Sequence, residues 1–222
     1  MLTLHRSGTY EKVRAEAAGR ADALRAAGFD VVRTKIEAAP WTAGVPSTDE
    51  EAVGLGPGYY FEHHLKLLLA RFAPLESLLA IAVGHGAHLS RNARRVRSDG
   101  RVERFVTQRC RMVGLGTAGQ RLDALSGQLR AAGLHLAALE REFVVYDGNL
   151  ALDAGWLDGE ERALGGQGIA EVRWRWLPVV AVVAVVAGGV SAGHGQSLGC
   201  LLYRKHRPSH SVPLKSRSDG AL

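Results

Sequence analysis

Cysteine is nearly absent: Cys110 and Cys200 are the two in 222 residues, far apart and outside any Cys-x-x-Cys or Cys/His ligand spacing. That excludes a disulfide framework and a zinc site, and neither a metal nor a cofactor is expected. Lysine is scarce as well, since 23 of the 28 basic residues are arginine. Together with abundant alanine and glycine, that bias follows from GC-rich codons and says little about function by itself. The opening residues MLTLHRSGTYEK lack the apolar core of a signal peptide, so cytoplasmic synthesis in a reduced state is the default expectation. No low-complexity repeat is long enough to argue disorder throughout.

What is there is globular in composition, 46% hydrophobic and 23% charged, with a formal net charge of +6. Residues 58–147 organise the chain. The segments GYYFEHHLKLLL, PLESLLAIAVGHG, AHLSRNARR, GRVERFVTQRCRM, TAGQRLDALSGQLRAAG and LHLAALEREFVVYD read as strand, helix, strand, strand, helix, strand. This is the βαββαβ order of a ferredoxin-like α+β unit, and the domain is placed at 58–157. Leu75 to Val83 is apolar nearly all round, which predicts a buried helix.

The first 40 residues read as β-α-β. Thr9 caps the helix, Val13, Ala17, Ala21 and Leu24 form its buried stripe, and Gly28 ends it. Leu24-Arg25-Ala26-Ala27-Gly28 recurs as Leu129-Arg130-Ala131-Ala132-Gly133, and both copies lead into strands with an equivalent glutamate, Glu37 and Glu142. Residues 1–40 therefore read as a half ferredoxin-like repeat whose first half is missing. Such a piece completes its sheet against the 58–147 unit or a partner chain, giving a homo-oligomer through the sheet edge, or its reading frame starts too late. Residues 41–57, rich in Gly, Pro and acid, read as a linker.

Beyond 158–175, taken as a second linker, the character changes. Residues 176–203 are apolar, with 18 uncharged residues in WLPVVAVVAVVAGGVSAG, and a basic tail follows at 204–222. The apolar segment is a candidate transmembrane helix by length, which would anchor the chain by a single span. A shifted frame and a buried segment are the competing accounts.

Period-2 alternation puts Tyr60, Glu62, His64 and Lys66 on one sheet face, with His88 and Ser90 alternating on the next strand. Asp99-Gly100 predicts the hairpin turn, and Phe105, Thr107, Arg109 and Arg111 share one side of the strand after it. The hairpin from Arg91 to Arg111 holds eight arginines. Asp147, Asn149, Asp153 and Asp158 stand at positions 1, 3, 7 and 12 of a calcium loop, but Leu152 holds the glycine position and residue 12 is not glutamate, which excludes that site.

Three functions compete. In the first, the polar sheet face binds a phosphate-bearing or acidic ligand. Lys66, Arg91, Arg104, Thr107 and Arg109 bind it, and His64, His88, Ser90 and Glu62 are candidate catalytic groups. His88-Leu89-Ser90 is similar to the His-x-Ser/Thr strand motif of two-histidine phosphoesterases, but His64-Leu65-Lys66 carries lysine where the second motif would need a hydroxyl. In the second, the basic hairpin binds nucleic acid through backbone phosphates, although the aromatic pattern of RNA-recognition strands is missing, with Phe105 and Tyr60 left for stacking. In the third, the chain is a membrane-tethered interaction protein.

The strings VVRTKIEAAPW, YYFEHHLKLLL, HGAHLSRNARR, ERFVTQRCR and EREFVVYDGNLALDAGWL resemble a family of actinobacterial proteins. The resemblance runs from Met1 to about Leu157. It implies duplicated ferredoxin-like α+β units with another β-α-β upstream, and it carries no activity or catalytic residue with it.

Overall fold

The computed structural model describes residues 2–153 and 178–188. The chain is α+β. In order it forms β1 (Leu2–Thr9), α1 (Tyr10–Ala26), β2 (Asp30–Ala38), α2 (Asp49–Leu55), β3 (Tyr60–Leu69) and α3 (Glu76–Gly84). Then come β4 (Ala87–Val96), β5 (Val102–Arg111), α4 (Leu115–Ala131), β6 (His135–Asp147), a 3-10 turn at Leu150–Asp153, and β7 (Pro178–Gly188). The seven strands among the described residues join one sheet in the order β1-β7-β2-β6-β3-β5-β4.

The two long helices begin and end for local reasons. The Thr9 side chain accepts from the Lys12 amide at the start of α1. Both copies of Leu-Arg-Ala-Ala-Gly are helix stops. Gly28 and Gly133 take φ of 85° and 75°, and the next amides, Phe29 and Leu134, bond back to the Leu24 and Leu129 carbonyls at 3.0 and 3.1 Å. That is the glycine-terminated cap, in which positive φ costs glycine little.

β2 pairs antiparallel with β6, so the first β-α-β is continuous with the sheet of the second unit. β7 lies between β1 and β2, antiparallel to both. Of the candidate transmembrane stretch at 176–203, the described residues Pro178–Gly188 form this strand, and the rest lies outside the described residues, as do the linker at 158–175 and the tail at 204–222. Among the described residues, no helix is long and apolar enough to cross a membrane.

One face of the sheet carries the helices and the apolar core. Val13, Ala17, Ile36, Phe61, Cys110, Ala118 and Phe143 form one cluster, and Leu65, Leu67, Leu78, Val106, Leu122, Leu125 and Leu129 form another. The buried stripe of α1 is Val13, Ala17 and Ala21, as its periodicity predicts. Helix α3 departs from expectation. Leu78 and Ala82 are buried, but Leu79 and Val83 are 51% and 66% exposed. It packs near β4 at the sheet edge, so only one stripe finds a neighbour.

The segment read as a linker contains a capped helix. Thr48 and Glu51 form a capping box at the start of α2. Asp49 then accepts from the Gly114 amide at 2.8 Å and the Thr117 hydroxyl at 3.1 Å, capping α4 from outside. A Cβ on Gly114 would sit 2.4 Å from the Thr48 carbonyl carbon, so glycine is required at this crossing.

Candidate functional site

The second face of the sheet is polar. Strand β3 contributes Tyr60, Glu62, His64 and Lys66, and the register sets them opposite Arg111, Arg109, Thr107 and Phe105 of β5. Paired residues share a face, so the alternation read from sequence holds here. Beyond β5, His88 of β4 opposes Thr107 and Ser90 opposes Phe105. Two cross-strand rows result: His64–Thr107–His88, and next to it Lys66–Phe105–Ser90.

Behind the first row lies a buried ionic network. Arg109 donates to Glu62 at 2.6 Å and to Asp153 at 2.5 Å. The Lys35 ammonium joins Glu62 to Glu37, the latter at 2.8 Å. Arg33 pairs with Asp147 and, at 2.7 Å, with Asp153. The Tyr60 hydroxyl donates to Asp147 at 2.8 Å, and its ring lies beneath the cations of Lys35, Arg109 and Arg111. Lys35, Glu37, Glu62, Arg109, Glu142 and Asp153 are all buried. Charges survive such burial only when paired and hydrogen-bonded.

The network sets the protonation states. Burial opposes the charge of Glu62, but Lys35 and then Arg109 outweigh it and hold the carboxyl well below the usual range. Burial likewise opposes the charge of Lys35, and Glu37 and Glu62 overcome it, raising its pKa. Glu142 is pushed up to about 8, first by burial and next by the negative charge of Glu37. His64 Nε2 lies 3.2 Å from Glu62 and 3.6 Å from Glu142. Burial alone would lower the His64 pKa, but Glu62 and then Glu142 raise it. His64 Nδ1 stands 3.1 Å from the Thr107 hydroxyl. His88 is shifted the other way, chiefly by burial.

The sequence-derived residues divide by role. His64, Thr107, His88, Lys66 and Ser90 come together on the polar face, with Ser90 buried and its hydroxyl donating to the Phe105 carbonyl at 3.4 Å. Glu62 and Arg109 lie beneath them, each held by the network. Arg104 lies apart from them. It opposes Leu67 and Arg91 in the register, so alternation turns it away from Thr107 and Arg109 toward the helix side. Arg91 stands in that same register row, out of line with the site. Of the hairpin arginines expected to meet nucleic acid, Arg97 and Arg101 lie against Asp99 at the turn, while Arg109 and Arg111 are buried.

Sequence alone does not mark Lys35, Glu37, Arg33 and Asp153 as site residues. Alternation along Arg33, Lys35 and Glu37 marks a polar face on β2, but the β2–β6–β3 neighbourhood that brings it to Glu62 needs the sheet order. Glu62, His64 and Glu142 offer ligand atoms within 4.8 Å of one another, a grouping that could hold a cation. In this arrangement Lys35 and Arg109 already supply positive charge to Glu62.

Comparison with family models, with curated proteins and with solved structures finds no match.

Proposed function

We propose that the chain binds a phosphate-bearing ligand over Thr107, between His64 and His88, and that the two histidines serve it as acid and base. The observation that carries this reading is the row itself. Two histidines flank one hydroxyl, and their surroundings push their pKa values in opposite directions. Such a divergence separates an acid from a base near neutrality.

His64 keeps a proton because the ionised Glu62 stands behind it, and its side chain is 27% exposed, enough to be reached. The cation can donate toward Thr107, whose hydroxyl relays to a phosphate oxygen above it. Lys66, two residues along the same strand and 30% exposed in its side chain, adds an ammonium. His88, neutral near pH 7, accepts a proton from a water or hydroxyl on the ligand. The buried Glu62–Arg109–Asp153 chain fixes the floor, as a rigid supporting shell should.

The fold supports the same reading. Over β3–β6 the element order is β-α-β-β-α-β with spatial order β6-β3-β5-β4. We read this as a ferredoxin-like unit, with β1-α1-β2 as a half repeat set against it. On that reading β7 stands in the half repeat where β3 stands in the full unit, and only β3 brings the Glu-His-Lys alternation. The duplicated plan is also what the resemblance to actinobacterial proteins implies.

The test is a titration of the whole chain with inorganic phosphate, following the imidazole signals of His64 and His88 by NMR. Both should move at millimolar phosphate or below, and His64→Gln and Thr107→Val should each weaken binding about tenfold, the worth of one charge-assisted hydrogen bond. Phosphate that leaves both signals in place would sink the reading.

A further inference from the structure

The phosphate row has an aromatic neighbour. Phe105 lies two residues from Thr107 on β5 and on the same face, about 6.6 Å along the strand. Its ring is partly exposed, and the Lys66 ammonium stands 5.3 Å from the ring centroid. We infer that the ligand is a nucleoside phosphate, its base stacked on Phe105 and its phosphate over Thr107. This rests on the phosphate reading above and extends it to the rest of the ligand.

Three observations carry the inference. The first is spacing. One residue pair along a strand leaves room for a sugar-sized spacer between a ring on Phe105 and an anion on Thr107. The second is Lys66. Its other partner is Glu103 at 3.8 Å, a loose contact for an ammonium. A side chain so weakly held can leave the ring and turn to the phosphate, one row away, exposing the aromatic surface as the anion arrives. The third concerns number. The other aromatic on this face, Tyr60, is 1% exposed and covered by Lys35, Arg109 and Arg111. That leaves one stacking platform on the face among the described residues, which suits a single base and not a run of bases along a strand.

The experiment compares adenosine monophosphate, ribose 5-phosphate and inorganic phosphate on the full chain by calorimetry. The wild type should bind the nucleotide about tenfold more tightly than ribose 5-phosphate, since one base stacked on an aromatic is worth that much. Phe105→Leu should erase the preference for the nucleotide over ribose 5-phosphate without weakening inorganic phosphate, since Lys66 loses its seat on the ring and stays available to the anion, while Phe105→Tyr should keep the preference. The tyrosine variant retains the platform, so it also guards against a leucine variant that folds poorly.

Equal binding of nucleotide and ribose 5-phosphate by the wild type would overturn the aromatic inference and leave the phosphate reading standing. Binding of neither, nor of inorganic phosphate, would remove both. A short single-stranded RNA binding far more tightly than the mononucleotide, with Phe105→Leu unaffected, would also overturn the inference, in favour of a nucleic-acid surface elsewhere.

Discussion

Glu37 and Glu142 hold the same place after the two Leu-Arg-Ala-Ala-Gly helix stops, and the sheet brings them close enough that the charge of Glu37 raises the pKa of Glu142. Lys35, beside Glu37 at 2.8 Å, also holds Glu62, and His64 lies between Glu62 and Glu142. A pair of acids on the adjoining strands β2 and β6 thus reaches the partly exposed imidazole of β3. The protonation of His64 is set from both halves of the sheet.

Glu142 should impose a pH dependence on stability. Its folded pKa is raised to about 8 from an ordinary carboxyl value, so between those limits the folded state binds a proton that the unfolded state has released. Its contribution is then fully present below the unfolded value and is lost as pH rises through about 8. Urea unfolding of wild type and Glu142→Gln at pH 5.5 and 8.5 checks this. The variant should gain on the wild type at the higher pH by about 1–3 kcal/mol, less than the full linkage value because His64 and Lys35 adjust with it. A constant difference across that range would mean that Glu142 is ionised throughout.

Arg109 should be a stability residue as well as a floor for the site. It bonds two buried carboxylates, Glu62 and Asp153, at 2.6 and 2.5 Å. Arg109→Met leaves both with one cation fewer in a buried setting, and the expected loss is about 3–5 kcal/mol in denaturant unfolding. Arg109→Lys should recover only part of it, because one ammonium cannot reproduce the forked geometry. A methionine variant within about 1 kcal/mol of wild type, the error of such a measurement, would show the network to be dispensable.

How much of this could be read from the chain depends on which distances the feature spans. Alternation along β3 names Tyr60, Glu62, His64 and Lys66 as one face because a strand repeats every two residues whatever surrounds it. The stops at Gly28 and Gly133 are equally local. Lys35 escaped because nothing in its own strand says that Glu62, 27 positions on, is its partner. That follows only from the β2-β6-β3 order. In sequence Asp153 stands in a broken calcium loop, whereas in the fold its carboxylate bonds Arg33 and Arg109. Helix α2 left a readable signal, Thr48 followed by Glu51, but a helix of 7 residues inside a Gly- and Pro-rich segment is easily passed over. For α3, composition predicts burial, whereas its place near the edge strand decides which side is wet.

Two glycines of α4 should respond oppositely to alanine. At Gly114, ahead of the helix, the new Cβ would lie 2.4 Å from the Thr48 carbonyl carbon and 2.6 Å from the Ser47 oxygen. Backbone must move, and Gly114→Ala should cost about 1–3 kcal/mol. Gly127 is exposed inside the helix with nothing within 4 Å of a Cβ. Gly127→Ala should add about 0.5–1 kcal/mol by removing unfolded-state freedom. Thermal unfolding of both variants decides it. If Gly114→Ala matched the wild type, the crossing of 47–48 over the start of α4 would be looser than this geometry.

β1 depends on β7. It stands at the end of the sheet order, and β7 is its neighbour there, with Leu4 paired to Val183. On its other side the same Val183 pairs with Ile36 of β2. A proline at 183 removes a ladder donor and cannot sit in an interior strand, so Val183→Pro should release β7 from both neighbours. Amide exchange of the full chain should then speed up across Leu2–Thr9, because that strand loses the partner that closes its hydrogen bonds. β3 and β5 pair with each other and with β6 or β4, so their protection should change little. If β1 amides stay as protected in the variant as in the wild type, β1 is held by something other than β7, and the place of β7 between β1 and β2 is wrong.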